Sequence, residues 1–266
     1  ELFESTTCLK IQEAITQATQ TVNIFEQKYR GKIQSLTPEE LLQCFRDIEA
    51  YEAKYGDLTL FSSLCFSANM TTPETQQLHD KIDKLDASIG KQLAFYSLEL
   101  GKLIKAKPEL IDNPVLANYR HMLQRVQRRV EHQLSEIEEQ LIIEKDQFGV
   151  NACEELQSKW LNTRMFDVKV LGQKKTLSYG EANGLLPHPD RATRESANRS
   201  IYGLLGKDGE VFSAALRAIC NDWVNVSKRR KYQSPMESSL ISNDTEKTII
   251  ETLLNTIEEG SASYRR

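Results

Sequence analysis

The residues best able to do chemistry in this chain are its four histidines, and their spacing leaves them little to do. They are His79, His121, His132 and His188, and none is followed by Glu-x-x-His. That arrangement would put two imidazoles on one helix face, with a glutamate placed to activate a metal-bound water. His121 and His132 are eleven residues apart, about 16 Å along a helix axis, so one straight helix cannot bring both to one metal. All four read as surface or capping histidines. No Gly-x-Ser-x-Gly elbow is present, and Gly203-Leu-Leu-Gly206-Lys207-Asp-Gly209 reads as a helix end and turn rather than a phosphate cradle. Glu138 and Glu139 read as solvated carboxylates of an amphipathic helix. No catalytic or metal-binding residue is expected.

Five cysteines, at 8, 44, 65, 153 and 220, form no Cys-x-x-Cys clip, and an odd count without pattern suits reduced thiols in a cytoplasmic protein. Cys44, beside Leu42 and Phe45, and Cys220, beside Ile219 and Trp223, lie on apolar helical faces and are expected in or near a core. The formal charge of −4 argues against a general nucleic-acid binder. The basic runs Arg125/Arg128/Arg129 and Lys228 to Lys231 read as solvated helix faces. Apolar runs fall far short of the roughly 20 residues a membrane span needs, so no membrane association is expected. Glu1 is not a natural start and no secretion signal follows it, so a trimmed product is expected.

These side chains must be positioned by helices. With 39% hydrophobic and 27% charged residues, the chain has the balance of a helix-rich protein with wide solvated faces. Ile11, Ile15, Ala18, Val22, Phe25 and Tyr29 recur at three- and four-residue steps, and Gly31 ends that stripe. Thr37-Pro38-Glu39-Glu40 is a complete helix start, and Thr72-Pro73-Glu74 and Asn113-Pro114 repeat the device. The second start opens a helix of close to 30 residues through Leu103, and the third opens one carrying Val115, Tyr119, Met122, Val126 and Val130. Ser135-Glu136-Ile137-Glu138 is a further capping box, which predicts a break near Leu134 and a helix through Ile143. Phe166 to Val170 alternates, Gly172 to Lys175 reads as a turn, and Thr176-Leu177 begins a return strand. A short helix capped by Ser178 to Glu181 then ends at Leu185-Leu186-Pro187-His188-Pro189, the best candidate domain boundary.

Several segments, in their order, resemble the oligoendopeptidase F family of thimet-oligopeptidase-like zinc peptidases. They include Tyr29-Arg-Gly-Lys32, Leu36 to Leu41, Tyr96 to Gly101 and Tyr119-Arg120-His121. His132 to Glu136 with Glu138 and Glu139, the hairpin from Phe166 to Leu177, His188-Pro-Asp-Arg191 and Arg230-Lys231-Tyr232-Gln233-Ser234-Pro235 complete the series. Lys231 stands where the family usually has glycine, which puts any special backbone turn there in doubt.

The resemblance implies an all-α fold of long antiparallel helices with one small β-hairpin near 165–178, the amino-terminal part of a two-lobed oligopeptidase. It implies an amino-terminal helical domain over 1–186 and the first helices of a catalytic domain over 187–266. The function implied is that of the non-catalytic half of a peptidase hydrolysing short peptides, forming a wall of the substrate channel. Zinc and its ligands would belong to a carboxyl-terminal catalytic half of comparable length that is missing here. Arg230, Tyr232 and Ser234 would lie near that channel; structurally, Tyr232 would instead anchor a helix end with Arg230 as its salt-bridged neighbour. The alternative function is an all-helical interaction or scaffold domain.

Overall fold

Four α-helices in this chain begin where a side-chain oxygen receives one of their first unpaired amides, at Thr37, Ser135, Ser178 and Asp190. In a computed structural model, residues 3–265 are described; Glu1, Leu2 and Arg266, with the expectations placed on the chain ends, lie outside the described residues. Helix α1 covers Leu9–Tyr29, α2 Pro38–Ala68 and α3 Pro73–Ala106. Thr37 and Glu40 exchange reciprocal bonds at the head of α2, with the Thr37 N–H 2.8 Å from Glu40 Oε2. Helices α4 (Arg120–Arg129), α5 (Glu136–Phe148) and α6 (Val150–Asn162) follow. The Ser135–Glu138 box caps α5 as its sequence predicts. Helix α6 has no side-chain cap, only Gly149 before it, and so it carries no start signal.

The start at Asn113-Pro114 gives a different helix from the one its stripe predicts. Residues Pro114–Tyr119 wind as a 3-10 helix, and α-helical geometry begins only at Arg120. In a three-residue turn Leu116 and Tyr119 stack along one line. Leu116 is fully buried, and both residues join the same core.

Strands β1 (Phe166–Val170) and β2 (Gln173–Leu177) pair antiparallel, with Phe166 opposite Leu177 and Val170 opposite Gln173. The turn is tighter than the sequence suggests: Leu171 and Gly172 alone make it, at φ +48° and +84°. Two successive positive φ values match the right-handed strand twist, so Gln173 to Lys175 remain in the strand. Among the described residues this is the only sheet. Helices α7 (Tyr179–Asn183), α8 (Arg191–Leu205), α9 (Gly209–Arg229), α10 (Pro235–Ser242) and α11 (Lys247–Tyr264) complete the chain.

The chain divides into two compact units, and α1, α2, α3, α5 and α9 each contribute to both. One comprises Glu1–Ile15, Tyr55–Ala87 and Ile143–Asn221. Within it α2 and α3 run antiparallel, since Thr59 bonds Asp86 while Phe66 stacks on His79. Ile11, Leu58, Leu78 and Ile82 form one core there. Phe166, Val168, Ala182, Ala197 and Ile201 form another, which joins the hairpin to α8 across Pro187. The outer edge of β1 is closed by α8: Ser196 Oγ accepts from the Lys169 N–H and Thr193 Oγ1 from the Leu171 N–H.

The other unit comprises Thr16–Lys54, Ser88–Ile142 and Asp222–Arg266. Its core gathers Phe25, Tyr29 and Ile33 with Leu41, Cys44 and Phe45. Phe95, Leu100, Leu103 and Ile104 of α3, with Leu110, Ile111, Leu116 and Leu123, complete it. Cys44 is buried as expected, but Cys220 is exposed. The face of α9 that carries Cys220 is left largely uncovered, with Leu216 62% and Trp223 44% exposed.

Candidate functional site

Helix α9 ends where the sequence placed its channel candidates, and the backbone there closes in a specific way. The Tyr232 N–H donates to the Ser227 carbonyl and the Lys231 N–H to the Lys228 carbonyl, while Lys231 sits at φ +59°. This is a Schellman closure, which calls for a left-handed residue at the position Lys231 fills. The special turn is therefore present although glycine is not.

The closure delivers Arg230 to the head of α5. Its guanidinium donates to both carboxylate oxygens of Glu139 at 2.7 Å, and also to the His132 carbonyl at 3.3 Å. In return the Arg230 carbonyl lies 3.0 Å from His132 Nδ1, and the Tyr232 ring stacks on the His132 imidazole at 4.0 Å. Arg229 pairs with Glu138 at 2.8 Å. Glu138 thus serves both the capping box and Arg229, and Glu139 serves both Arg230 and the Leu134 N–H. Burial pushes the Glu139 carboxyl up, but Arg230 and the Leu134 amide outweigh it and hold the group below the usual carboxylate range. Burial raises the Tyr232 hydroxyl, against Arg230 and Arg129.

Arg230 and Tyr232 are thus brought together on His132, Arg230 through its guanidinium and carbonyl and Tyr232 through its ring. Ser234 heads α10 and is exposed; its side chain makes no cap bond, and Glu237 instead accepts from the Gln233 N–H. Glu138 and Glu139, read from the sequence as solvated, are partners of this closure. What could have found them is their membership of the family-like segment 132–139, whose partner is the segment 230–235.

The same unit carries a second closure of this type. Asp244, at φ +52°, ends α10, with the Thr245 N–H on the Leu240 carbonyl. Its carboxylate receives Arg128 at 2.5 Å, His121 Nε2 at 3.2 Å and Arg125 Nε at 3.3 Å. The basic run on α4 is thus partly committed to this carboxylate, where it was expected to be solvated. At Gly101 of α3 a Cβ would overlap the Gln133 amide, which donates to the Ser97 carbonyl at 2.7 Å and would have to move aside.

The remaining histidines are also engaged. His79 lies 3.5 Å from Asp83, and His188 Nδ1 accepts from the Asp190 N–H. Among the described residues no group of three or more His, Cys, Asp or Glu side chains is placed to hold a metal. Likewise no helix is long and apolar enough to cross a membrane.

The sequence model of the family described as Oligopeptidase F matches residues 108–159, from just after α3 into α6. Group B oligopeptidase PepB of Streptococcus agalactiae is 23% identical over 202 residues, covering 74% of this chain and 34% of the relative. Oligopeptidase PepF of Bacillus subtilis is 20% identical over 237 residues, covering 87% and 35%. The chain therefore spans about a third of the length of these curated relatives. In fold it is similar to oligoendopeptidase-F from Enterococcus faecium, with TM-score 0.78 at 18% identity, covering 94% of this chain and 50% of that one. The chain is thus similar in sequence to these oligopeptidases, with 108–159 matching the Oligopeptidase F family model, and similar in fold to oligoendopeptidase-F.

Proposed function

We propose that the chain is the amino-terminal, non-catalytic portion of a zinc metallo-oligopeptidase acting on short peptides, and that its helices form a wall of the substrate channel. One observation carries this reading: nearly all of the chain aligns with oligoendopeptidase-F, yet it spans only half of that chain. The residues present do not fit a zinc site, because among the described residues no three His, Cys, Asp or Glu side chains converge on one point. Zinc and its chemistry would therefore come from a carboxyl-terminal portion, and this chain would supply enclosure and selection by size. The boundary near Pro187 would separate the enclosing helices from the first helices of the catalytic portion. Within that scheme the Arg230–Glu139 pair and the Tyr232–His132 stack hold the end of α9 in place. Ser234 is the candidate whose hydroxyl stays available to a peptide. Five free cysteines fit a reducing compartment such as the cytoplasm.

The test is elemental analysis of the purified chain beside a peptide-hydrolysis assay. The reading expects zinc far below one per chain and no cleavage. Stoichiometric zinc with chelator-sensitive cleavage would overturn it. The coding sequence downstream of this segment is the second test: a His-Glu-x-x-His there supports the peptidase, and a stop codon supports a scaffold instead.

A further inference from the structure

In the unit that includes Ser88–Ile142, a cleft of about 570 Å³ opens between α2, α3 and α4. Phe45, Ile48, Met122 and Val126 supply an apolar lining, and Glu49 and Glu52 bring two carboxylates to it. The only other titratable groups in the lining are Tyr96, Tyr119 and His121. Tyr119 donates to Glu49 at 2.6 Å, and His121 is engaged with Asp244. Glu52 is exposed and makes no hydrogen bond or ion pair among the described residues. No lysine or arginine is among the lining residues, so the lining is net negative.

Tyr96 is the second, independent observation. Its ring is fixed edge-on against Phe25 at 5.6 Å, and its hydroxyl has no hydrogen-bond partner among the described residues. Burial first, then the charges nearby, Glu52 and Glu49 among them, push that hydroxyl far above its ordinary range. It therefore stays protonated, a donor and acceptor beside two carboxylates. An apolar concavity with a few convergent polar groups is the usual form of a small-ligand site.

We propose that this cleft binds an amphiphilic cation, a small organic amine whose apolar body lies against Phe45, Ile48, Met122 and Val126. The ammonium sits between Glu52 and Glu49 and reaches the Tyr96 hydroxyl. Neither the peptidase reading nor the position of any catalytic group enters this assignment.

Three probes of one shape and different charge test it on the full chain: 4-phenylbutylamine, 4-phenylbutanol and 4-phenylbutyrate, each titrated by calorimetry. The amine is expected to bind about fivefold more tightly than the alcohol, the size of one partly exposed charge pair, with the carboxylate weakest. Glu52→Gln should reduce that advantage and leave the alcohol unchanged. Met122→Trp, with helicity checked by circular dichroism, should remove binding of all three. Equal binding of the three probes, an amine affinity unchanged in Glu52→Gln, binding that survives Met122→Trp, or no binding at all would each overturn the assignment. So would concentration-dependent NMR shifts of cleft residues without probe, which would give the cleft to a second copy of the chain.

Discussion

At the scale of single residues, the end of α9 is the most informative place in the molecule. Arg230 and Glu139 are only 21% and 18% exposed as side chains, so each needs the other's charge. Glu139→Gln should cost about 2 kcal/mol, the range of a hydrogen bond to a charged group, read from denaturant midpoints at unchanged slope. Because the folded-state pKa of Glu139 is depressed, the pair's contribution is complete above the ordinary carboxylate value of about 4.5. It is lost as pH falls below that. The stability difference between wild type and Glu139→Gln should therefore be full above about pH 4.5 and shrink as pH falls below it; a difference that does not change with pH contradicts the pairing. Lys231 makes the opposite case. A left-handed conformation costs a residue with a Cβ about 1 kcal/mol, so Lys231→Gly should stabilise the chain by roughly that amount. A thermal midpoint lowered by this substitution would mean that the Lys231 side chain makes a contact worth more than the strain.

At the scale of elements, two glycines in long helices separate propensity from packing. Gly56, in the interior of α2, has open space where a Cβ would go, so Gly56→Ala should stabilise by about 0.5–1 kcal/mol. Gly101→Ala should lose that gain, because the displaced Gln133 amide gives up its bond to the Ser97 carbonyl, worth about 1 kcal/mol. Equal stabilisation by the two substitutions would rule out the close approach. The capped helix starts at Thr37, Ser135 and Ser178 were legible in the sequence, because a cap is a bond between residues two or three apart. The 3-10 segment before α4 was not legible, since its winding answers to the burial of Leu116 in a core built from distant parts of the chain.

At the scale of the whole molecule, the uncovered apolar faces matter most. Ile249, Leu253, Leu254 and Ile257 of α11 are each 53–59% exposed, and the helix has no buried residue. Covering those four side chains would contribute roughly 3 to 6 kcal/mol, a large share of a domain's stability of about 5–15 kcal/mol. The isolated chain is therefore expected to self-associate in light scattering, and Leu253→Glu with Ile257→Glu should restore a monomer without loss of helicity. A wild-type chain that is monomeric at high concentration would mean that this face needs no partner.

Short-range order was set by the sequence alone: the caps, the amphipathic stripes, the alternation at 166–170, and the absence of a metal motif among four histidines. The energies behind these features act within a few residues, so composition and spacing suffice to read them. Tertiary structure decided what depends on distant partners. It buried Cys44 but left Cys220 exposed, paired Glu139 with Arg230 across 91 residues, and stacked Tyr232 on His132. It also held Lys231 in a turn that suits glycine. In each case the outcome rests on which faces the packing brings together, and one-dimensional spacing carries no record of that choice.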